Sequence, residues 1–524
     1  MSSGALSSCS NTSAGSITQL VATGAMDAYL SKNAKFTYWK SRHQRFTQFA
    51  MEAVIQPFNS VVQFGQTSQI TLNRTGDLVY YMYVLIEIPG ITACRGSIDT
   101  CGGQIGGDQF PHCDEATMHA DCAVYLSYLN NDEYADPATC NSSDIAEIML
   151  KGKQRWAKDK YGCCVLPEAC TQGGTMKDDP NECIGTNQCG EYEPYAYWSN
   201  SIGQLLIKCA SIVIGGTTID SLYNDFLFCW EELTGKTGKK LEEMVGKRYT
   251  RTQLVCDSRC SRVLYVPLPF WFTMSSGSAL SLASLNFHGV QVHVEFERLQ
   301  SCIIASGPDV QVKNCASACC LTNADLAAAL ETTYIYLDSV ERAKFASMPF
   351  ETLIVQLQHY TISASSSQIR MQLNFNHPVL ELIWIIRRQA NEQCNNWFDY
   401  SGIDGRDPVV KASLYLNNQP RFQNKPGTYL RMVQNYQFHT NIPDAFIYVY
   451  SFALHPEELV PSGTCNFSRI DHVDLVLQLQ EGLARETVTV LVFARNFNIL
   501  RFREGLAGVA YSNASEPMEI EGGF

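Results

Sequence analysis

CASIVIGGTTI, residues 209–219, and KASLYLNNQPRF, residues 411–422, follow one pattern: small residues, alternating apolar positions, a Gly-Gly or Asn-Asn turn, and a return strand. Period-two alternation is what a strand with one buried face requires, and the central dipeptides suit a two-residue hairpin turn. The parallel extends outward from these hairpins. SQITLN from 68, followed by DLVYYMYVLIEI, answers to SQIRMQLN from 367, followed by VLELIWII. After the hairpins, Leu222, Phe226, Trp230 and Leu233 keep helical spacing in the first copy, as Tyr429, Met432, Val433 and Tyr436 do in the second. VLYVPLPF from 263 then parallels FIYVYSFAL from 446, and VQVHVEF from 290 parallels VDLVLQL from 473. In that strand Val290, Val292, Val294 and Phe296 take one side, which leaves His293 on the solvent side.

Spacing locates what the first copy has gained. Ser68 to Ser211 is 143 residues, whereas Ser367 to Ser413 is 46, an excess of 97 in the first copy. A second excess separates the last repeated strand from TTYIYLDSV in the first copy. With these removed, each copy is roughly 160 residues with about eight strands and one helix, the pattern of a jelly roll. The expected fold is all-β: a tandem double jelly roll of two eight-stranded antiparallel sandwiches, with a short helix in each and large Cys-rich loop insertions in the first. The expected boundaries are an N-terminal arm over 1–25, a first jelly roll over 26–345 with insertions at about 94–190 and 301–331, a second over 346–513, and a tail over 514–524.

Charge and hydropathy narrow the function classes. Lys plus Arg number 39 against 52 Asp plus Glu, and a net charge of -13 opposes direct binding to a phosphate backbone. The longest apolar run, LVYYMYVLIEIPGI, has 14 residues and contains Glu87 and Pro89, too short and too polar for a membrane span. MSSGALSSCSNTSAGS lacks the basic start and apolar core of a secretory signal.

Of the 21 cysteines, ten fall in the first insertion: Cys94, Cys101, Cys113, Cys122, Cys140, Cys163, Cys164, Cys170, Cys183 and Cys189. Cys302, Cys315, Cys319 and Cys320 occupy the second, and Cys256 and Cys260 lie close together. Such density reads as a disulfide-stapled module, each bridge contributing ~2 to 4 kcal/mol by limiting the unfolded chain. His112, Cys113, Asp114, Glu115, His119 and Cys122 are residue types that ligate zinc, and zinc and free thiols stay open as alternatives. No C-x-x-C pair occurs, so no metal is assigned. Each insertion is expected to project as an autonomous, cross-linked decoration.

Signals for catalysis fail on inspection. PSGTCNFSRIDHVDLVLQ, residues 461–478, sets Cys465 near Asp471, His472 and Asp474, but its first-copy counterpart has no Cys and sequence adjacency does not assemble a nucleophile and its base. We read it as a turn feeding a strand. In GKTGKK, Trp230 stands where the first glycine of a phosphate-binding loop belongs, and Gly238-Lys239 is followed by Lys240. CGGQIGGDQ lies in a Cys-rich loop, outside any strand-to-helix context. No catalytic residue and no cofactor is assigned.

Several long stretches resemble one family. GAMDAYLSKNAKFTYWKSRHQRFTQFAME (24–52), RTGDLVYYMYVLIEIP (74–89), YVPLPFWF (265–272), LNFNHPVLEL (373–382), PSGTCNFSRID (461–471) and ARNFNILRFREGLAGVAYSN (494–513) closely resemble the major capsid protein of nucleocytoplasmic large DNA viruses, particularly the algal-virus branch. The resemblance spans most of the chain and stops at about 94–190 and 301–331. It implies a non-enzymatic homotrimer, a pseudo-hexameric capsomer contacting neighbouring capsomers, minor capsid proteins and an internal viral membrane, in an icosahedral virion assembled in the host cytoplasm. That compartment is reducing, so disulfides would need a viral oxidase or late oxidation. Within KNAKFTYWKSRHQRF, Lys32, Lys35, Lys40, Arg42 and Arg45 are candidates for an inner-face arm touching minor capsid proteins or anionic lipid, or else a solvated face with buried aromatic anchors. Among the sequons at Asn11, Asn73, Asn141, Asn466 and Asn513, Asn141 is the glycosylation candidate because it falls in the projecting insertion, where host-surface contacts would also lie. The competing readings are an extracellular or surface jelly-roll protein that binds carbohydrate and a jelly-roll enzyme, since fold does not fix function.

Overall fold

The computed structural model describes residues 13–33, 46–95, 196–236, 238–239, 241–305, 310–315 and 320–511. Sixteen strands carry the architecture. In the first half these are β1 Phe49–Pro57, β2 Thr67–Thr71, β3 Leu78–Ile88, β4 Ile207–Ile214, β5 Thr217–Tyr223, β6 Arg262–Pro267, β7 Val290–Phe296 and β8 Ala327–Leu337. In the second half they are β9 Phe350–Ala364, β10 Gln368–Gln372, β11 Pro378–Arg388, β12 Val409–Leu416, β13 Gln419–Pro426, β14 Tyr448–Ser451, β15 Val473–Leu479 and β16 Val488–Arg503.

The first half pairs as β1-β8-β3-β6 and β2-β7-β4-β5, and the second as β9-β16-β11-β14 and β10-β15-β12-β13. Adding eight to every label of the first roll yields the second. The two rolls are one topology written twice, the double jelly roll that the repeat predicts.

Alternation explains each sandwich. β7 reads buried at Val290, Val292, Val294 and Phe296 and half-buried between them; His293 is on the side away from the core as expected, half-buried opposite Gln69 and Ser211. β15 buries Val473, Leu475, Leu477 and Leu479 in the second core. β11 departs from the rule, with every residue from Val379 to Arg387 buried. A continuous apolar run marks a strand covered on both faces. Leu382, Trp384 and Ile386 point into the second roll's core, and Ile383 and Ile385 into the core that contains the first roll.

The helices differ from the expected pair. Asn224–Thr234 buries Phe226 and Leu233 as its spacing implies and leaves Trp230 half-buried, while Leu222 belongs to β5. Its counterpart opens with a π-turn at Tyr429–Val433 and closes with Gln434–Phe438. There Leu430 is the anchor, at 0% exposure, and the expected face of Met432, Val433 and Tyr436 is exposed at 46%, 38% and 78%. A π-turn inserts one residue into the helical repeat and rotates the side chains after it off the 3.6-residue face.

The insertions are rooted together, not separately. Strand Ile91–Arg95 pairs with Val310–Asn314, and Ala196–Trp198 with Ile303–Ala305, so the second insertion closes the entrance and exit of the first. The second insertion is also shorter than expected, because 327–331 already belong to β8. The boundary expected at 345–346 falls inside the helix Ser339–Ser347, which buries no residue and joins β8 to β9. At the N-terminus, Ser13–Val21 and Ala25–Ser31 are helices in a unit of their own. No described helix is long and apolar enough to cross a membrane.

Candidate assembly surface

Among the described residues no group of three or more His, Cys, Asp or Glu is placed to hold a metal. The Cys465 stretch is a turn: Cys465 and Asn466 pair with β11 at Val379 and Pro378, and Phe467–Arg469 forms a 3-10 turn. His472 faces Gln372 with Nδ1 3.1 Å from Nε2, and Asp474 pairs with Arg370 at 2.9 Å. Burial pushes the Cys465 thiol up, the opposite of an activated nucleophile.

The cysteines divide. Cys256, Cys320 and Cys394 are held in disulfides. Cys394 had given no signal, standing alone in sequence. Cys260, Cys302 and Cys315 fall outside that set. Cys302 is a free thiol at 0% exposure, packed in the first core as a small apolar residue, and Cys260 is a free exposed thiol. Cys94 lies in strand Ile91–Arg95. Cys101, Cys113, Cys122, Cys140, Cys163, Cys164, Cys170, Cys183, Cys189, Cys319 and Asn141 lie outside the described residues, as do Lys35, Lys40, Arg42 and Arg45. Lys32 is exposed in the turn after Ala25–Ser31.

What the geometry does build is a seam between the two rolls, on the outer face of β9-β16-β11-β14. β5 and its following helix lie across that face. Leu357 donates its backbone N–H to Asp220 Oδ1 at 2.9 Å, and Gln356 donates Nε2 to the Ile219 carbonyl. Phe226 meets Phe493 with ring centroids 5.8 Å apart. Arg387 on β11 pairs with Asp225 at 2.8 Å, and Tyr400 donates its hydroxyl to the same carboxylate oxygen at 2.8 Å. Burial works against the Arg387 charge, but Asp225, Tyr400 and Glu392 hold its pKa above the ordinary value.

A second charged cluster centres on Glu381 at 0% exposure. Arg495 lies 2.6 Å from one of its oxygens and His439 Nε2 2.9 Å from the other, while His439 Nδ1 is 3.2 Å from Glu457. The Arg495 guanidinium stacks 3.9 Å from the Trp230 ring centroid, linking this cluster to the first roll. Burial opposes both charges, yet the cations pull the Glu381 carboxyl down to about 2, and the carboxylates hold the His439 imidazole up at about 9. At two nearby acids burial outweighs the partners: Asp220, despite the Leu357 N–H and the Arg495 charge, and Glu231, despite Lys247 and Gln204, are each pushed up to about 7.

Among the described residues, the equivalent face of the first roll, on β1-β8-β3-β6, carries exposed side chains. Met51 and Ile55 on β1, Tyr81 on β3, and Val263 and Tyr265 on β6 are 46%, 58%, 40%, 50% and 41% exposed. Register fixes the correspondence. Val84 pairs with Leu330 and Val266, and Trp384 with Val492 and Tyr448, all facing inward. The outward set Tyr81, Tyr83, Leu85 and Glu87 therefore stands where the second roll has Glu381, Ile383, Ile385 and Arg387. Contiguous exposed apolar residues across a sheet mark an interaction surface.

Comparison with known proteins shows the family. The model for the large eukaryotic DNA virus major capsid protein matches residues 341–508, and the model for the major capsid protein N-terminus matches 37–103 and 174–340, leaving the middle of the first insertion unmatched. The major capsid protein of Pyramimonas orientalis virus is 31% identical over 526 residues, covering 95% of this chain and 100% of that protein. The chain belongs to the family of major capsid proteins of large eukaryotic DNA viruses. Its role is structural, in the virion capsid. The major capsid protein of Phaeocystis pouchetii virus is 29% identical over 621 residues, covering 95% of this chain and 100% of that protein. The quasi-atomic structure of the capsid of Paramecium bursaria Chlorella virus 1 has the same fold, with a TM-score of 0.60 at 22% identity over 91% of this chain and 100% of that one. The carbohydrate-binding alternative finds no support in these relatives, which are capsid proteins.

Proposed function

We propose that three copies of this major capsid protein close into a capsomer of pseudo-sixfold shape that tiles an icosahedral shell. One observation carries the reading: a single chain holds two rolls of identical strand order, with one outer face covered and the equivalent one exposed. Three such chains present six near-equivalent wedges, so a closed trimer fills a hexagonal lattice site. Closure covers the open face of each first roll with a second roll from the next chain. The protein has a building role and no catalytic one. The basic segment around Lys32, Lys35, Lys40, Arg42 and Arg45 is the contact to minor capsid proteins or the internal membrane, the Cys-rich insertion with Asn141 is the outward decoration, and assembly takes place in the host cytoplasm.

Electron microscopy of the purified protein tests the shape. Class averages with six lobes around a threefold axis support it, and two-lobed particles at every concentration contradict it.

A further inference from the structure

The two rolls share topology but carry opposite charge on the segments that make and await the seam. Residues 217–234, which cover the second roll's outer face, contain Asp220, Asp225, Glu231 and Glu232 and no Lys or Arg. They lie on a face that presents Arg387 and Arg495, and Asp225 pairs directly with Arg387. Residues 419–438, the same elements in the second roll, contain Arg421, Lys425 and Arg431 and no Asp or Glu. Arg431 already has Asp407 at 3.5 Å, whereas Arg421 and Lys425 are exposed, over the rings of Tyr450 and Tyr429. The open face of the first roll is reversed to match. Glu87 occupies the position of Arg387, and Glu331, paired across the strands with Tyr83, occupies that of Phe493. The apolar complement is also present, with Met432, Val433 and Tyr436 exposed on the second roll's helix against Tyr81, Val263 and Tyr265 on the sheet.

We infer that residues 419–438 of one copy dock on the outer β1-β8-β3-β6 face of a second copy, with Arg421 and Lys425 against Glu87 and Glu331, and that this charge match strengthens the contact between copies. The inference rests on the trimer reading and adds its pairing rule.

The test is charge reversal on side chains that are exposed, as Glu87, Arg421 and Lys425 are, or half-buried, as Glu331 is, in the single chain. Glu87→Lys with Glu331→Lys raises the protein concentration at which trimers dissociate by about tenfold or more, read by light scattering across a dilution series, and leaves the thermal midpoint of the monomer fraction unchanged. Adding Arg421→Glu and Lys425→Glu to the same chain restores the wild-type dilution curve. Reversed chains that dissociate like wild type, or a four-site variant no better than the two-site one, overturn the pairing rule while a trimeric wild type leaves the capsomer standing. A wild-type chain that is monomeric throughout overturns the trimer itself.

Discussion

The sheets β1-β8-β3-β6 and β9-β16-β11-β14 share strand order and register on their inner faces and part company on their outer ones. β3 reads as strict alternation, Val84, Ile86 and Ile88 buried with Tyr83, Leu85 and Glu87 partly or fully exposed between them, whereas β11 is buried from Val379 to Arg387. The difference teaches how to tell a face covered by its own chain from a face kept for another. The first is apolar or ion-paired at every position, and the second keeps aromatics and carboxylates that tolerate water until assembly.

Substitutions at matched positions break this comparison most strongly on the covered side. Phe493→Ala removes a ring at 1% exposure from the intrachain seam and costs ~3–5 kcal/mol in chemical unfolding, while Glu331→Ala at the matched position of the first roll changes monomer stability by less than about 0.5 kcal/mol. Equal losses at the two positions contradict the assignment of faces. Glu381→Gln strands Arg495 and His439 in the interior and costs ~3 kcal/mol, whereas Tyr81→Gln at the matched site has no comparable effect on the monomer.

The covered seam is also the one that senses pH. Asp220 and Glu231 sit at about 7 in the fold, above their unfolded values, so the stability tied to their neutral forms is complete below pH ~4 and lost as pH rises through about 7. His439 is held at about 9, and its contribution is complete below pH ~6.5 and lost through about 9. Glu381 runs the other way, contributing above pH ~4.5 and losing that contribution toward about 2. Stability from this seam therefore peaks near pH 4.5 and declines toward pH 9, and His439→Gln flattens the limb between 6.5 and 9 in denaturation series. The smallest effect belongs to the waiting surface: Met432→Ser or Tyr436→Ser shifts monomer stability by less than about 0.5 kcal/mol and weakens only self-association.

The repeat was legible because both copies keep short alternating strands and a hairpin turn, at Gly215-Gly216 with φ of 59° and 82° and at Asn417-Asn418 with φ of 48° and 63°. Left-handed backbone at both central residues is what selects Gly or Asn there. The burial of β15 and the innocence of Cys465 were legible for the same reason, since period two assigns faces. The second helix was half legible. Its apolar spacing reported a surface that needs covering, but nothing in the spacing says which chain covers it, and the π-turn at Tyr429–Val433 leaves no compositional mark. Cysteine pairing was not legible, because Cys302 in the core and Cys394 in a disulfide differ by what folds around them and not by their spacing. The ion pairs Asp225–Arg387 and Glu381–Arg495 join residues 162 and 114 positions apart, beyond any local pattern.

Hydroxyl-radical footprinting of the assembled protein addresses the two faces at once. Tyr81 and Tyr265, 40% and 41% exposed in one chain, are protected in the assembled fraction and label freely in a dissociated one, while Phe493 is protected in both. Tyrosines at 81 and 265 that label at the same rate in both fractions contradict the account.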